Sequence, residues 1–160
     1  MLNTIGGIPT HPLIIHTTVI FVPLLIIAAI VYAAWSRVRS KIAWAVAALA
    51  VIAPLSALLA KLSGQSLRQH LIDVRASSGL INKVNQHMSY GTNTLWWSIA
   101  LGVVTLLLVG YLWRAVPAGG TESVAVRLGG IVVTVALGIV TGYYVFRTGD
   151  TGAHIVWAGI

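Results

Sequence analysis

The sequence contains no cysteine and only three acidic residues among its 160. Without cysteine the chain cannot form a disulfide, a zinc–thiolate site, an iron–sulfur cluster or a covalently attached c-type haem. Charged residues make up 8% of the chain, whereas a soluble domain carries about 25%. Because 58% of the residues are hydrophobic, we expect the chain to lie in a lipid bilayer, as a single domain over residues 1–160.

Four apolar stretches have the length of about 20 residues that a helix needs to cross the hydrocarbon core. They cover residues 13–35, 42–60, 95–113 and 128–146. The predicted fold is therefore an all-α integral membrane protein, an up-down bundle of four transmembrane helices. Apolar residues at helical spacing after residue 61 predict an amphipathic helix on the membrane surface between helices 2 and 3. From Ser78 onward the pattern extends helix 3 beyond the bilayer.

The two short links between helices, residues 36–41 and 114–127, are predicted to lie on one side of the membrane and both termini on the other. Arg37, Arg39 and Lys41 cluster after the first helix, which favours the cytoplasm for the side of the links. Both termini are then extracytoplasmic. No cleavable signal peptide is predicted, because the N-terminus has no charged segment before its apolar run. Headgroup binding explains the net charge of +7, and no nucleic-acid partner is expected.

Five histidines, all predicted to lie near the side of the termini, are the candidate ligands for a cofactor. They are His11, His16, His70, His87 and His154. His16 lies within the first span, where an ionisable group usually faces the bundle interior. Helices 1 and 3 lie diagonally across such a bundle, so His16 and His87 could hold a b-type haem or a metal ion between them. The other three histidines would line the same pocket. In the alternative interpretation, His16 bonds a neighbouring backbone carbonyl or Asp73.

The sequence predicts a membrane electron-transfer component or an accessory subunit of a respiratory complex, more a binding protein than an enzyme. No G-x-S-x-G motif surrounds Ser63 or Ser66, and no carboxylate lies within a span, so neither hydrolysis nor ion transport is indicated. Gly138 and Gly142 in helix 4 would pack closely against a neighbouring helix and help to make room for the haem. Two alternatives stay open: a structural subunit of a larger complex and a small metal-binding membrane protein.

The residues around the histidines resemble a bacterial membrane-protein family, catalogued as domain of unknown function 2231. The resemblance rests on the opening GIPTHPLIIH of residues 7–16, AKLSGQSL of residues 60–67, His87, and the closing RTGDTGAHIVW of residues 147–157. Ser63 stands where relatives usually have threonine, and His154 where relatives vary. Some relatives are fused to Rieske-type or cytochrome-like domains. The resemblance implies a bacterial cytoplasmic membrane protein beside an electron-transfer chain, with respiratory membrane proteins or a second copy as partners.

Overall fold

The computed structural model describes residues 4–5, 8–115 and 123–157. Within these ranges the chain forms four helices that are long and apolar enough to cross a membrane. The predicted all-α bundle of four transmembrane helices is therefore confirmed, although half of the predicted link 114–127 lies outside the described residues. The helices are α1 Thr10–Ala34, α2 Arg39–Asp73, α3 Ser78–Ala115 and α4 Val124–Trp157. Two short strands, β1 Thr4–Ile5 and β2 Ile8–Pro9, pair antiparallel ahead of α1.

The four helices pack in a ring that follows their order along the chain. α2 and α4 each contact both α1 and α3, whereas α1 and α3 lie diagonally across the bundle and touch little. α1 begins, α2 ends, α3 begins and α4 ends at the same end of the bundle. We call this the histidine end, because all five histidines lie in these terminal parts of the helices, as the sequence predicted.

The fully described stretch 61–94 holds no separate surface helix, so that expectation is corrected. α2 instead continues unbroken to Asp73 and α3 begins at Ser78, which confirms the extension of helix 3. Arg75, with φ 56°, closes the turn, and the amide of Ala76 donates to the Leu71 carbonyl across 2.9 Å, a common helix C-terminal motif. α2 has 35 residues and α1 has 25. At 1.5 Å per residue, the α2–α3 hairpin projects roughly 15 Å beyond the start of α1.

The core of the bundle combines apolar residues, among them Leu25 of α1 and Leu101 of α3, with small or hydroxyl-bearing residues on α2, α3 and α4. Val22, Leu25 and Ala29 of α1 are buried there. Most of the buried serine and threonine hydroxyls donate to a carbonyl of their own helix, as when Thr105 Oγ1 donates to the Leu101 carbonyl across 2.7 Å. Small residues and self-bonded hydroxyls let helix backbones approach closely in lipid, where apolar side chains gain little by leaving the acyl chains.

Gly138 of α4 packs directly against side chains of α1. A Cβ atom placed on Gly138 would lie 3.1 Å from Ile26 Cγ2 and 3.4 Å from Ile30 Cδ1. The space beside this glycine is therefore filled by α1 side chains. It serves helix packing, and the room expected there for a haem is already occupied.

Arg39 closes the opposite end of α1. Its Nε donates to the Tyr32 carbonyl across 2.8 Å, and its Nη2 donates to the Ala33 carbonyl across 2.7 Å. Carbonyls in the last turn of a helix have no partner within that helix. A cation at this end is also stabilised by the negative end of the helix dipole. Buried Arg39 therefore joins the start of α2 to the end of α1.

We expect Arg39→Ala to lower the free energy of unfolding by about 1–3 kcal/mol, because two carbonyls at the end of α1 lose charge-assisted hydrogen bonds. Thermal unfolding of the detergent-solubilised protein measures this. Arg37→Ala is the matched control, since Arg37 lies in the same turn and is exposed. Equal melting temperatures for the two variants would contradict this role of Arg39.

Candidate functional site

Three of the five predicted histidines lie apart from one another on the surface of the histidine end. His16 is exposed, and its Nδ1 lies 2.6 Å from the Pro12 carbonyl of its own helix. This is the backbone-carbonyl arrangement of the alternative interpretation, and the interior position expected for His16 is not observed. His70 is exposed near the end of α2. His154 is also exposed, with Nδ1 2.9 Å from the carbonyl and 3.4 Å from Oδ1 of Asp150.

His11 and His87 form the one pair of histidines whose rings contact each other in the described part of the chain. Their ring centres are 6.3 Å apart, and the ring planes are inclined at 84°. His11 lies in the first turn of α1, and His87 lies within the first third of α3. The diagonal pairing of helices 1 and 3 that the sequence suggested is therefore present, with His11 in place of His16.

A hydroxyl group on the next helix along the chain fixes each of these two rings. His11 Nδ1 lies 2.9 Å from Ser63 Oγ on α2, and His87 Nδ1 lies 3.2 Å from Thr151 Oγ1 on α4. Each hydroxyl already donates its proton to a carbonyl of its own helix, Ser63 to Ala60 across 2.9 Å and Thr151 to Arg147 across 2.7 Å.

This hydrogen bonding favours the tautomer with the ring proton on Nδ1. With their own protons donated to carbonyls, the Ser63 and Thr151 hydroxyls accept from the rings, and Nδ1 is the protonated nitrogen of each neutral histidine. In that tautomer the Nε2 atoms of His11 and His87 each hold a lone pair. Each such nitrogen can bind a metal ion or accept a hydrogen bond.

A glycine after each hydroxyl residue provides the space for each ring. A Cβ atom on Gly64 would lie 3.1 Å from His11 Cε1, and one on Gly152 would lie 3.0 Å from His87 Cε1. Both distances are too short for an ordinary carbon contact, so any side chain at these positions would push against an imidazole. In the α1–α2 hairpin the Ser63 hydroxyl contacts the histidine ring and Gly64 leaves space for it. Thr151 and Gly152 do the same in the α3–α4 hairpin.

A model of the family described as predicted membrane protein (DUF2231) matches residues 7–159. The chain belongs to the DUF2231 family. No curated protein and no solved structure matches it. The family match covers both histidines of the pair and both hydroxyl–glycine dipeptides. The whole candidate site of this DUF2231 protein therefore lies within the matched residues.

A line of polar contacts continues from His87 into the bundle along the α3–α4 seam. Arg147 Nη2 donates to Tyr90 Oη across 3.0 Å, and its guanidinium carbon lies 4.9 Å from the centre of the Tyr90 ring. One turn further along α3, Thr94 Oγ1 and Thr148 Oγ1 are 3.0 Å apart. These contacts fix the register of α3 against α4, and with it the position of Thr151 against His87.

Helix backbone lies beside the imidazole pair of this DUF2231 protein. Cβ atoms on Gly64 and Gly152 would lie 3.7 Å and 3.9 Å from the Nε2 atoms of His11 and His87, respectively. The α2 and α4 backbones therefore lie beside both Nε2 atoms. Among the described residues, no group of three or more histidine, cysteine, aspartate or glutamate side chains could hold a metal ion.

Sequence reasoning missed Ser63, Thr151 and the two glycines as parts of the site. The available signal was repetition: a hydroxyl residue followed by glycine at the outer end of both even-numbered helices, with a histidine at the outer end of both odd-numbered helices. This signal becomes informative only when the two hairpins are compared with each other.

Proposed function

We propose that this DUF2231 protein is a small metal-binding membrane protein that holds one transition-metal ion between His11 and His87. The observation that carries the proposal is the contact between two half-buried imidazoles whose Nδ1 atoms each lie within hydrogen-bonding distance of a hydroxyl, that of Ser63 for His11 and that of Thr151 for His87. Histidines that bind metals almost always donate their other ring proton to a neighbouring acceptor, which sets the ring orientation and raises the basicity of the ligand nitrogen. Ser63 and Thr151 lie where such acceptors would be needed.

The proposed site lies at the histidine end of four membrane-spanning helices, and this position favours a role in electron transfer. An ion with two oxidation states at this end could accept an electron from a membrane or soluble partner. This role agrees with what the family resemblance implies about work beside a respiratory chain. The two ligands also come from separate hairpins, so binding of the ion would hold α1 and α3 together.

A b-type haem is the second candidate for the same pair of histidines. The 6.3 Å between ring centres favours it, because two imidazoles on opposite faces of an iron atom are separated by about that distance. The glycine backbones beside Nε2 oppose it, since α2 and α4 would have to move outward. Haem and a bare ion make different predictions for an absorbance spectrum.

The test is purification of the full chain in mild detergent, followed by elemental analysis and a reduced-minus-oxidised absorbance spectrum. We expect about one transition-metal ion per chain and no Soret band. Binding should be lost in His11→Ala and in His87→Ala, while exposed His16→Ala should keep the metal of the wild type. His11→Gln and His87→Gln retain a polar side chain of similar length and guard against a variant that simply fails to fold.

Three other results would contradict the binding of a bare metal ion by His11 and His87. A Soret band that disappears in His87→Gln supports the haem candidate and overturns the bare ion. Wild-type protein that retains neither metal nor haem, even after reconstitution, overturns metal binding and leaves the interpretation as a structural subunit. Metal that stays bound in both His→Gln variants but is lost in His16→Ala overturns the proposed ligand pair.

A further inference from the structure

We propose that the ion held by His11 and His87 is monovalent copper, bound by the two imidazoles in near-linear coordination. This inference rests on the proposed metal-binding function and specifies the ion. It follows from three properties of the site: the separation of the two rings, the number of ligands, and the charge of those ligands.

The separation of the rings indicates how the ligands are arranged around an ion. With metal–nitrogen bonds of about 2 Å and about 1.1 Å from each nitrogen to its ring centre, linear coordination separates the ring centres by about 6.2 Å. A tetrahedral angle brings them to about 5 Å on the same bond lengths. The observed separation of 6.3 Å leaves room for the linear arrangement, with both Nε2 atoms directed at the ion. A tetrahedral zinc ion would require the rings to move together by roughly 1 Å.

The number of ligands excludes most divalent ions. Structural zinc takes four protein ligands and catalytic zinc usually three, while manganese, calcium and magnesium prefer six or more oxygen ligands. Of the three acidic residues in the chain, Glu122 lies outside the described residues. Asp73 accepts a hydrogen bond from Gln69, and Asp150 lies beside His154. The described site therefore offers two nitrogens, which is the number that a cuprous ion accepts in linear coordination.

The ligand charge favours a monovalent ion. Both imidazoles are neutral when they bind a metal, and the hydroxyls of Ser63 and Thr151 carry no charge. The cost of moving an ion out of water grows with the square of its charge, so a monovalent ion pays about a quarter of the cost of a divalent ion. In a half-buried site without a carboxylate ligand, this difference selects against divalent ions.

The experiment compares Cu(I) and Zn(II) binding by metal-free, detergent-solubilised full-length protein. Cu(I) is presented anaerobically with ascorbate and a coloured Cu(I) chelator as competitor, and Zn(II) is presented with a zinc indicator. We expect one Cu(I) per chain, with affinity reduced on the order of 100-fold or more in His11→Gln and in His87→Gln. His16→Gln is the matched control and should bind Cu(I) as the wild type does. X-ray absorption should show two nitrogen ligands at about 2 Å.

The outcomes separate this inference from the proposed function beneath it. If Zn(II) or another divalent ion binds more tightly than Cu(I), and does so through the same two histidines, copper is overturned while metal binding at the pair stands. Three or four ligands around Cu(I) would also overturn near-linear coordination. If no metal distinguishes the wild type from His11→Gln and His87→Gln, both the copper inference and the proposed function fail.

Discussion

Replacing Gly102 with alanine is expected to destabilise the bundle, whereas the same replacement at Gly110 should leave it unchanged or make it more stable. Both glycines lie in α3, two turns apart. A Cβ atom on Gly102 would lie 2.5 Å from the Ala50 carbonyl oxygen and 3.3 Å from Pro54 Cγ, whereas one on Gly110 meets nothing within 4 Å. At Gly102 the obstacle is backbone, so α2 and α3 would have to separate.

The loss of folding free energy in Gly102→Ala is expected to be larger than a steric clash alone would cause. Pro54 has no amide proton, so the carbonyl four residues earlier, that of Ala50, lacks its normal helical donor. Gly102 lets α3 pack directly against this carbonyl, and neighbouring helices commonly compensate for such freed groups in membranes. Alanine would push α3 away from it. We expect a loss of about 1–3 kcal/mol or more from overpacking and from poorer packing around that carbonyl.

Thermal unfolding in one detergent, with aggregation followed by size-exclusion chromatography, tests the contrast between the two glycines. Gly110→Ala gains helix propensity, worth up to about 1 kcal/mol, without a clash. Its melting temperature should equal or exceed that of the wild type, while that of Gly102→Ala should fall by several degrees. If both variants shift in the same direction by the same amount, the close approach of α2 and α3 at Gly102 is not what holds them together.

The number and positions of the membrane spans were predictable because they depend on the length of apolar sequence alone. The full lengths of α2 and α3 were not. After residue 60 the chain becomes polar enough to leave the hydrocarbon, but no proline follows before the turn at Arg75, and Gly64 alone does not end α2. Leaving the bilayer and ending a helix are different events, and hydropathy reports only the first. The expected surface helix came from treating them as one.

The expectation that His16 faces the bundle interior was wrong for a related reason. Histidines five residues apart on a helix point about 140° apart, so only one of them can face the core. Val22 and Leu25 are buried, and their spacing of three and four residues continues back to His11 and misses His16. α1 is apolar on every side, as lipid demands, so hydropathy carries no sign of which face is inside.

The small and hydroxyl-bearing residues of α3 and α4 did hold that information. Thr94, Ser98 and Thr105 are buried at spacings of four and seven residues along α3, and the same stripe includes His87. In α4, Thr141 is buried, and steps of four, three and four residues from it lead to Gly152. In a membrane helix, polar and small side chains identify the inner face better than apolar ones do. A search for such stripes would have placed His87 and Gly152 on the inner face from the sequence alone.

Removing both hydroxyls that fix the histidines is expected to weaken metal binding at the His11–His87 pair by about 10²- to 10⁴-fold, since each outer-shell partner typically contributes 10- to 100-fold. The double variant is Ser63→Ala with Thr151→Val. Without these acceptors, the proton of each neutral ring can occupy Nε2, and each ring can turn away from its position. The ligand nitrogens themselves remain, so the loss measures positioning alone.

Conservative replacements separate this positioning role from a general loss of structure. Ser63→Thr and Thr151→Ser keep the hydroxyl and should restore most of the affinity. Ser66→Ala is the matched control on α2, because the Ser66 hydroxyl bonds the Leu62 carbonyl of its own helix across 3.4 Å. The melting temperature of the metal-free double variant should stay close to that of the wild type. Unchanged metal affinity in the double variant would mean that the hydroxyls do not set the protonation of His11 and His87. Ser63 and Thr151 would then not be what keeps the two Nε2 atoms available for a metal ion.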